Sequence, residues 1–316
     1  MGVIGAGAMG TTLASVLGRL VPVVIVCRNP ARAETLFRIG ARVHGAVECA
    51  SRPIVVSRVE DLARIGGVSA VFVATKTTAI DEVAAEMAPL MSELGDQPDA
   101  PYTISFQNGI EPGKRLMERL GDPRVLRMVL NFGARLDKDG AAETTLYTPP
   151  HLIGRQDRTY AAVSDSLAST LTACGFETRA VDDVEPFVWM KGIVNAAMNP
   201  VAALTDASVG ETLDAPARVI VERLLAEGVM VAKAEGIDLG DDPVSKMMAV
   251  FESARLHTPS MVEDIRAGRE SEVGQLNRQI LEHARRVGVE TPTHELITAL
   301  IDAFDWRVFH RGEERA

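Results

Sequence analysis

Gly2-Val3-Ile4-Gly5-Ala6-Gly7-Ala8-Met9-Gly10-Thr11 stands at the head of a 316-residue chain and decides how its first half is read. Gly5, Gly7 and Gly10 spell G-x-G-x-x-G, directly after the apolar pair Val3-Ile4 and directly before a helical pattern from Thr11 to Leu20. In a strand–turn–helix the first glycine permits the tight turn. The second lets the backbone approach a pyrophosphate, and the third brings the helix close to the strand. The helix start then offers free N–H groups and a positive dipole end to the phosphates. Gly5, Ala6, Gly7, Ala8, Met9 and Gly10 therefore read as a dinucleotide-binding loop; a bland glycine-rich turn is the alternative. Only Met1 and Gly2 precede Val3, so the opening strand reads as clipped, and a native start slightly upstream is expected.

Working outward, short β-branched runs at Val21 to Cys27, Pro53 to Ser57, Val68 to Ala74 and Tyr102 to Phe106 alternate with helical patterns, which implies βαβ units and a parallel sheet. Residues 125–154 hold two further apolar runs, Leu126 to Phe132 and Leu146 to Ile153, around Asp137-Lys138-Asp139-Gly140, read as antiparallel strands extending that sheet. From Val184 onward nearly every segment has helical periodicity. The expected fold class is α/β: an N-terminal Rossmann-type domain at 1–181 and a mostly α-helical, substrate-handling domain at 182–316, joined near Asp182 to Pro186.

Composition narrows the function. A hydrophobic share of 47% with 24% charged residues belongs to an ordered globular protein. A net charge of −10 argues against a nucleic-acid partner, so any anionic ligand must meet a local basic pocket. Cys27, Cys49 and Cys174 form no CxxC pair, and no metal-ligand spacing is present, so no metal is expected. Without a basic leader or a long uncharged apolar run, no membrane association is expected and the location reads as cytoplasmic. The apolar run Val219 to Val231 suggests a homodimer.

The end of the second strand selects the dinucleotide, because the adenosine ribose lies beside it. Cys27-Arg28-Asn29-Pro30-Ala31-Arg32 contains no carboxylate, and Arg28, with Arg32 as a weaker candidate, suits a 2′-phosphate, which points to NADP(H). A merely solvated surface arginine is the bland account. Lys76, after Val71-Phe72-Val73-Ala74, and Gln107-Asn108, after Ile104-Ser105-Phe106, fall at carboxyl ends of strands and should border the nicotinamide; Asn108-Gly109 alone would pass for a turn.

In Trp189 to Pro200, residues Lys191, Asn195 and Asn199 advance about 40° per step and share one face of an otherwise apolar helix. Burying unpaired groups would cost about 1 to 3 kcal/mol each, so the stripe is read as lining a polar cleft. Pro200 cannot donate to the Ala196 carbonyl, and a bend or stop is expected there. Pro259-Ser260 starts another helix, where Ser260 alone would pass for a cap, and Glu272 falls in the first turn of the next, where a carboxylate suits the dipole.

Taken in order, Gly5 to Gly10, Lys76, Gln107-Asn108-Gly109, the Lys191–Asn195–Asn199–Pro200 stripe, Pro259-Ser260-Met261 with Asp264, and Glu272 with Asn277 resemble the ketopantoate reductase family across nearly the whole chain. The resemblance implies reduction of 2-dehydropantoate to pantoate by NADPH, with the substrate between a dinucleotide fold and a helical domain. It makes Lys191 the general acid and Glu272 the partner of the substrate hydroxyls. Asn108, Asn195 and Asn199 would orient carbonyl, hydroxyls and nicotinamide, Ser260 would bind the carboxylate, and Lys76 would sit at the cofactor end. The chemistry agrees, since hydride arriving at a ketone creates an alkoxide that needs a cationic proton donor. This chain departs from the family after Glu272, where Val273-Gly274-Gln275 replaces the usual Asp-Tyr segment. Other 2-oxo acids therefore stay open as substrates, beside a non-catalytic NADPH sensor and an opine or sugar-acid dehydrogenase.

Overall fold

Val3 and Ile4 are buried in the central part of the first of two compact units, Met1–Val184 and Glu185–Ala316, in a computed structural model that describes residues 1–94, 100–121, 124–155, 159–269, 271 and 273–310. In chain order the strands are β1 (Gly2–Ile4), β2 (Val24–Val26), β3 (Ala41–Gly45), β4 (Cys49–Ser51), β5 (Ile54–Val56), β6 (Ala70–Val73), β7 (Tyr102–Ser105), β8 (Val125–Val129), β9 (Phe132–Leu136), β10 (Ala142–Tyr147), β11 (His151–Gly154) and β12 (Thr178–Val181). The helices among them are α1 (Ala8–Leu17), α2 (Pro30–Ile39), α3 (Asp61–Ile65), α4 (Ile80–Leu94), α5 (Pro112–Leu120) and α6 (Ala161–Ala173).

An eight-stranded sheet runs β12-β11-β8-β7-β6-β1-β2-β5, with β1 parallel to both β2 and β6. Strands buried on both faces need unbroken apolar runs, and β1, β2 and β6 are buried at every position. Chain order reverses between β1 and β6, the place where doubly wound sheets receive ligands at the strands' carboxyl ends.

The expected antiparallel extension of the main sheet is present: β8, over the first apolar run, joins it parallel to β7, and β11, over the second, lies antiparallel to β8. The β9–β10 hairpin between them was not expected and belongs to a second, four-stranded sheet, β4-β3-β10-β9. Between the two sheets lies α1, which packs on β1 and β2 as well as on β3, β4, β9 and β10. It is buried from Gly10 to Leu17, so its polar residues must find local acceptors. Thr12 Oγ1 donates to the Ala8 carbonyl at 2.9 Å, and Ser15 Oγ meets Cys49 Sγ at 3.1 Å.

The second unit holds α7 (Glu185–Thr205), α8 (Val209–Asp214), α9 (Arg218–Ala234), α10 (Pro243–Ser253), α11 (Ser260–Arg266), α12 (Val273–Val287) and α13 (Pro292–Asp305). Its axis is α7, whose Trp189, Ile193, Ala196 and Ala197 are fully buried. α9 comes close because Gly228 faces Ile193: a Cβ there would lie 2.8 Å from Ile193 Cγ2. The run Val219 to Val231 mostly serves this core, for Val221, Leu224, Leu225 and Val231 are 0% exposed, leaving Val219 and Met230 outside. Among the described residues no helix is long and apolar enough to cross a membrane.

α7 does not stop at Pro200 but continues to Thr205, and the Ala196 carbonyl accepts from Asn277 Nδ2 of α12 at 2.9 Å. The same amide nitrogen lies 3.1 Å from His294 Nδ1, while His294 Nε2 donates to the Leu224 carbonyl at 3.1 Å. Nδ1 therefore accepts, and the ring is neutral. The buried Glu227 carboxylate in turn receives the Thr293 and His294 N–H groups at the start of α13, at 2.9 and 3.0 Å. One polar chain thus ties α7, α9, α12 and α13.

Burial pushes the His294 pKa below its ordinary 6.5, with the Leu224 carbonyl and Glu227 opposing. Below pH 6.5 the unfolded chain takes up a proton that the folded ring resists, so this stabilisation is present above 6.5 and lost as pH falls. Between about pH 7.5 and 5.5 the native protein should lose more stability than His294→Gln. In the acid part of that range the difference should be at most about 1.4 kcal/mol per pH unit in denaturant unfolding; parallel pH profiles would contradict it.

Candidate active site

The glycine loop is fixed by contacts that exclude side chains at two of its three glycines. Gly5 has φ +109°, and a Cβ on it would lie 2.9 Å from the carbonyl of Ala74. A Cβ on Gly10 would lie 1.9 Å from the Gly5 carbonyl oxygen. Gly7 is different: it is exposed, its φ of −71° suits any residue, and nothing lies within 4 Å of where its Cβ would be. Thr11 N bonds to the Gly7 carbonyl at 2.9 Å, whereas the N–H groups of Ala8, Met9 and Gly10 have no backbone acceptor among the described residues. Open space at Gly7 beside unused donors fits a pyrophosphate.

Arg32 belongs to the loop's own support. Its Nε donates to the Ala6 carbonyl at 2.8 Å, its NH2 to Thr11 Oγ1 at 2.7 Å and its NH1 to the Gly140 carbonyl at 2.6 Å. With three of its five N–H donors so engaged, this guanidinium serves mainly the loop, which counts against the weaker of the two expected arginines. Arg28 is exposed at the end of β2 and forms ion pairs with Glu82 and, at 3.3 Å, Glu86, both on α4.

Lys76 is exposed at the carboxyl end of β6, and Asn108 is exposed after β7. Gln107 is buried instead of bordering the cofactor. Its Nε2 donates to Thr75 O at 3.0 Å, so it binds the two loops together. Beneath Asn108, the buried Arg127 donates to the carbonyls of Gly109 and Ile110, where Gly109 turns with φ +103°. These four loops, after β1, β2, β6 and β7, lie at the same end of parallel strands.

In the second unit, Lys191 and Asn195 are half-buried on α7 and Asn199 is 8% exposed. The side chains of Asn195 and Asn199 make no hydrogen bond among the described residues. Ser260 is exposed as the first residue of α11, and no side chain caps that helix, so the capping account of Ser260 fails. Glu272 lies outside the described residues. The sequence reading missed the supporting roles of Arg32, Gln107, Arg127 and Asn277; only Asn277 had a legible cue, the carbonyl that Pro200 leaves without its helical donor.

The ketopantoate reductase PanE/ApbA family profile matches residues 1–155, and its C-terminal counterpart matches residues 183–305. The chain belongs to the ketopantoate reductase family. It is therefore an oxidoreductase of a class that uses a nicotinamide dinucleotide. The 2-dehydropantoate 2-reductase of Pyrococcus horikoshii is 24% identical, covering 95% of this chain and 96% of that one. That of Archaeoglobus fulgidus is 27% identical, with 95% of each chain covered. Among solved structures, a family ketopantoate reductase from Ralstonia eutropha has a TM-score of 0.83 at 23% identity, covering 98% of this chain and all of that one. A D-mandelate dehydrogenase with NADH has a TM-score of 0.81 at 21% identity, covering 97% and 99%. Both share the reductase fold.

The two kinds of glycine separate folding from binding. Gly10→Ala should destabilise the first unit by about 3 kcal/mol or more, because the two atoms nearest the new methyl, the carbonyl oxygen and carbon of Gly5, are backbone. Gly7→Ala should change stability by no more than about 0.5 kcal/mol yet weaken dinucleotide binding at least tenfold. Thermal unfolding with fluorescence titration checks both; unaltered binding by Gly7→Ala would remove the pyrophosphate from this loop.

Proposed function

We propose that this chain reduces 2-dehydropantoate to pantoate with NADPH. The observation that carries the reading is the α7 stripe. Asn195 and Asn199 lie one and two turns beyond Lys191 on a mostly buried helix, and neither amide is committed to a partner among the described residues. Their polar atoms are not among the fully buried ones that lack a partner, so both amides are open to a ligand, and a hydroxylated oxo acid offers the hydrogen-bond groups they can take. The family relatives' names support the same substrate.

The loop at Gly5 to Gly10 holds the pyrophosphate, Lys76 and Asn108 border the cofactor, and Arg28 takes the 2′-phosphate. When bound, the dinucleotide supplies the hydride. Lys191 gives its proton to the ketone oxygen as charge develops there, so that C2 gains hydride, oxygen gains the proton and a hydroxyl results. Asn108, Asn195 and Asn199 orient the carbonyl and hydroxyl, Ser260 holds the substrate carboxylate, and Glu272 receives the substrate's hydroxyl. Lys191→Ala should lower turnover about 100-fold or more while leaving dinucleotide affinity unchanged; near-normal turnover across a panel of 2-oxo acids would end the assignment.

A second reading, NADH with a different 2-oxo acid, is favoured by the two carboxylates that already hold Arg28. Arg28→Ala separates the two. If NADPH is the cofactor, its KM should rise about tenfold, as expected for the loss of a charge-assisted contact of about 1.4 kcal/mol, with the KM for NADH unchanged. Equal effects on both would assign NADH.

A further inference from the structure

Among the described residues two helices carry an internal proline, and they resolve it differently. In α4, Pro89 removes the donor to Ala85, but Ala85 and Pro89 are not buried, so water reaches the freed carbonyl. In α7, Ala196 is 0% exposed and Pro200 is buried, so water cannot serve. There Asn277, itself 0% exposed, places Nδ2 2.9 Å from the Ala196 carbonyl and 3.1 Å from His294 Nδ1. Both amide hydrogens are thereby used. Reversing the amide would set its oxygen against the Ala196 oxygen, which fixes the orientation.

We infer that Asn277 is a positioning residue for the reaction: its side chain replaces the backbone donor that Pro200 lacks and so fixes the segment of α7 that carries Asn195 and Asn199. The inference rests on the reading that this stripe handles substrate. The Ala196 carbonyl directly follows Asn195 and precedes Asn199 by less than one helical turn, so the bond acts at the centre of the stripe. Asn277 itself need not touch substrate. Its second bond, to the neutral His294, carries the anchor on to the Leu224 carbonyl of α9.

A cycle of Asn277→Ala, Pro200→Ala and the double variant tests this, because the backbone at position 200 regains an N–H once the proline is replaced. Asn277→Ala should lower Tm by about 6 °C with Pro200 present and by about half that in the Pro200→Ala background. Turnover of the best 2-oxo acid should fall about tenfold and return to within about threefold in the double variant, with dinucleotide Kd constant throughout. Folding of the double variant where Asn277→Ala alone fails to fold is the same rescue. Equal losses in both backgrounds, or folding in neither, overturn the inference. If the native protein reduces no 2-oxo acid, the proposed function fails separately. The side-chain NH₂ resonances of Asn195 and Asn199 then give the readout: they shift in Asn277→Ala and return in the double variant, or their indifference overturns the role.

Discussion

A carbonyl oxygen where a methyl group would have to go is the constraint on which the first unit depends. The Gly5 carbonyl would meet a Cβ on Gly10 at 1.9 Å, so the chain can turn from β1 into α1 at that closeness only with glycine at position 10. The turn aims α1 back across the sheet, and the second sheet closes over its other side. A helix enclosed in this way cannot be strongly amphipathic. Its threonines and serine survive burial through bonds to nearby carbonyls and to Cys49, and at its start nothing lies within 4 Å of where a Cβ on Gly7 would be.

The parts of the fold legible in the sequence were those where one residue type answers one physical demand. The glycines marked the turn, and the unbroken Val and Ile runs marked strands covered on both faces. The stripe of Lys191, Asn195 and Asn199 stood out because its neighbours are apolar. β3 and β4 were missed because Ala41 to Ser51 alternates weakly and pairs in part with β10, nearly a hundred residues away. β8 and β11 were legible as antiparallel apolar runs, whereas β9 and β10 between them were missed, and nothing local says which sheet they join. Arg28 and Arg32 look alike in sequence; only the tertiary structure turns one inward to the Ala6 carbonyl and leaves the other among carboxylates.

The second unit is organised by a polar chain inside an apolar core. Leu224, Glu227, His294, Asn277 and Ala196 link four helices through bonds that each need a specific donor and acceptor. Hydrophobic packing alone tolerates small slides of one helix along another, whereas such bonds select one register. α7 is thereby held both by its buried Trp189 and Ile193 and by a bond at the level of its polar stripe.

The bond from Arg32 to Gly140 spans 108 residues of sequence and joins the glycine loop to the tip of a hairpin in the other sheet. During synthesis the loop emerges first and this support last, about 5–20 s later at ordinary elongation rates. The nascent chain therefore carries its glycine-loop turn well before that turn has its full set of braces. The turn's final shape is thus set late on the ribosome, although its own residues are made well before the hairpin that braces it.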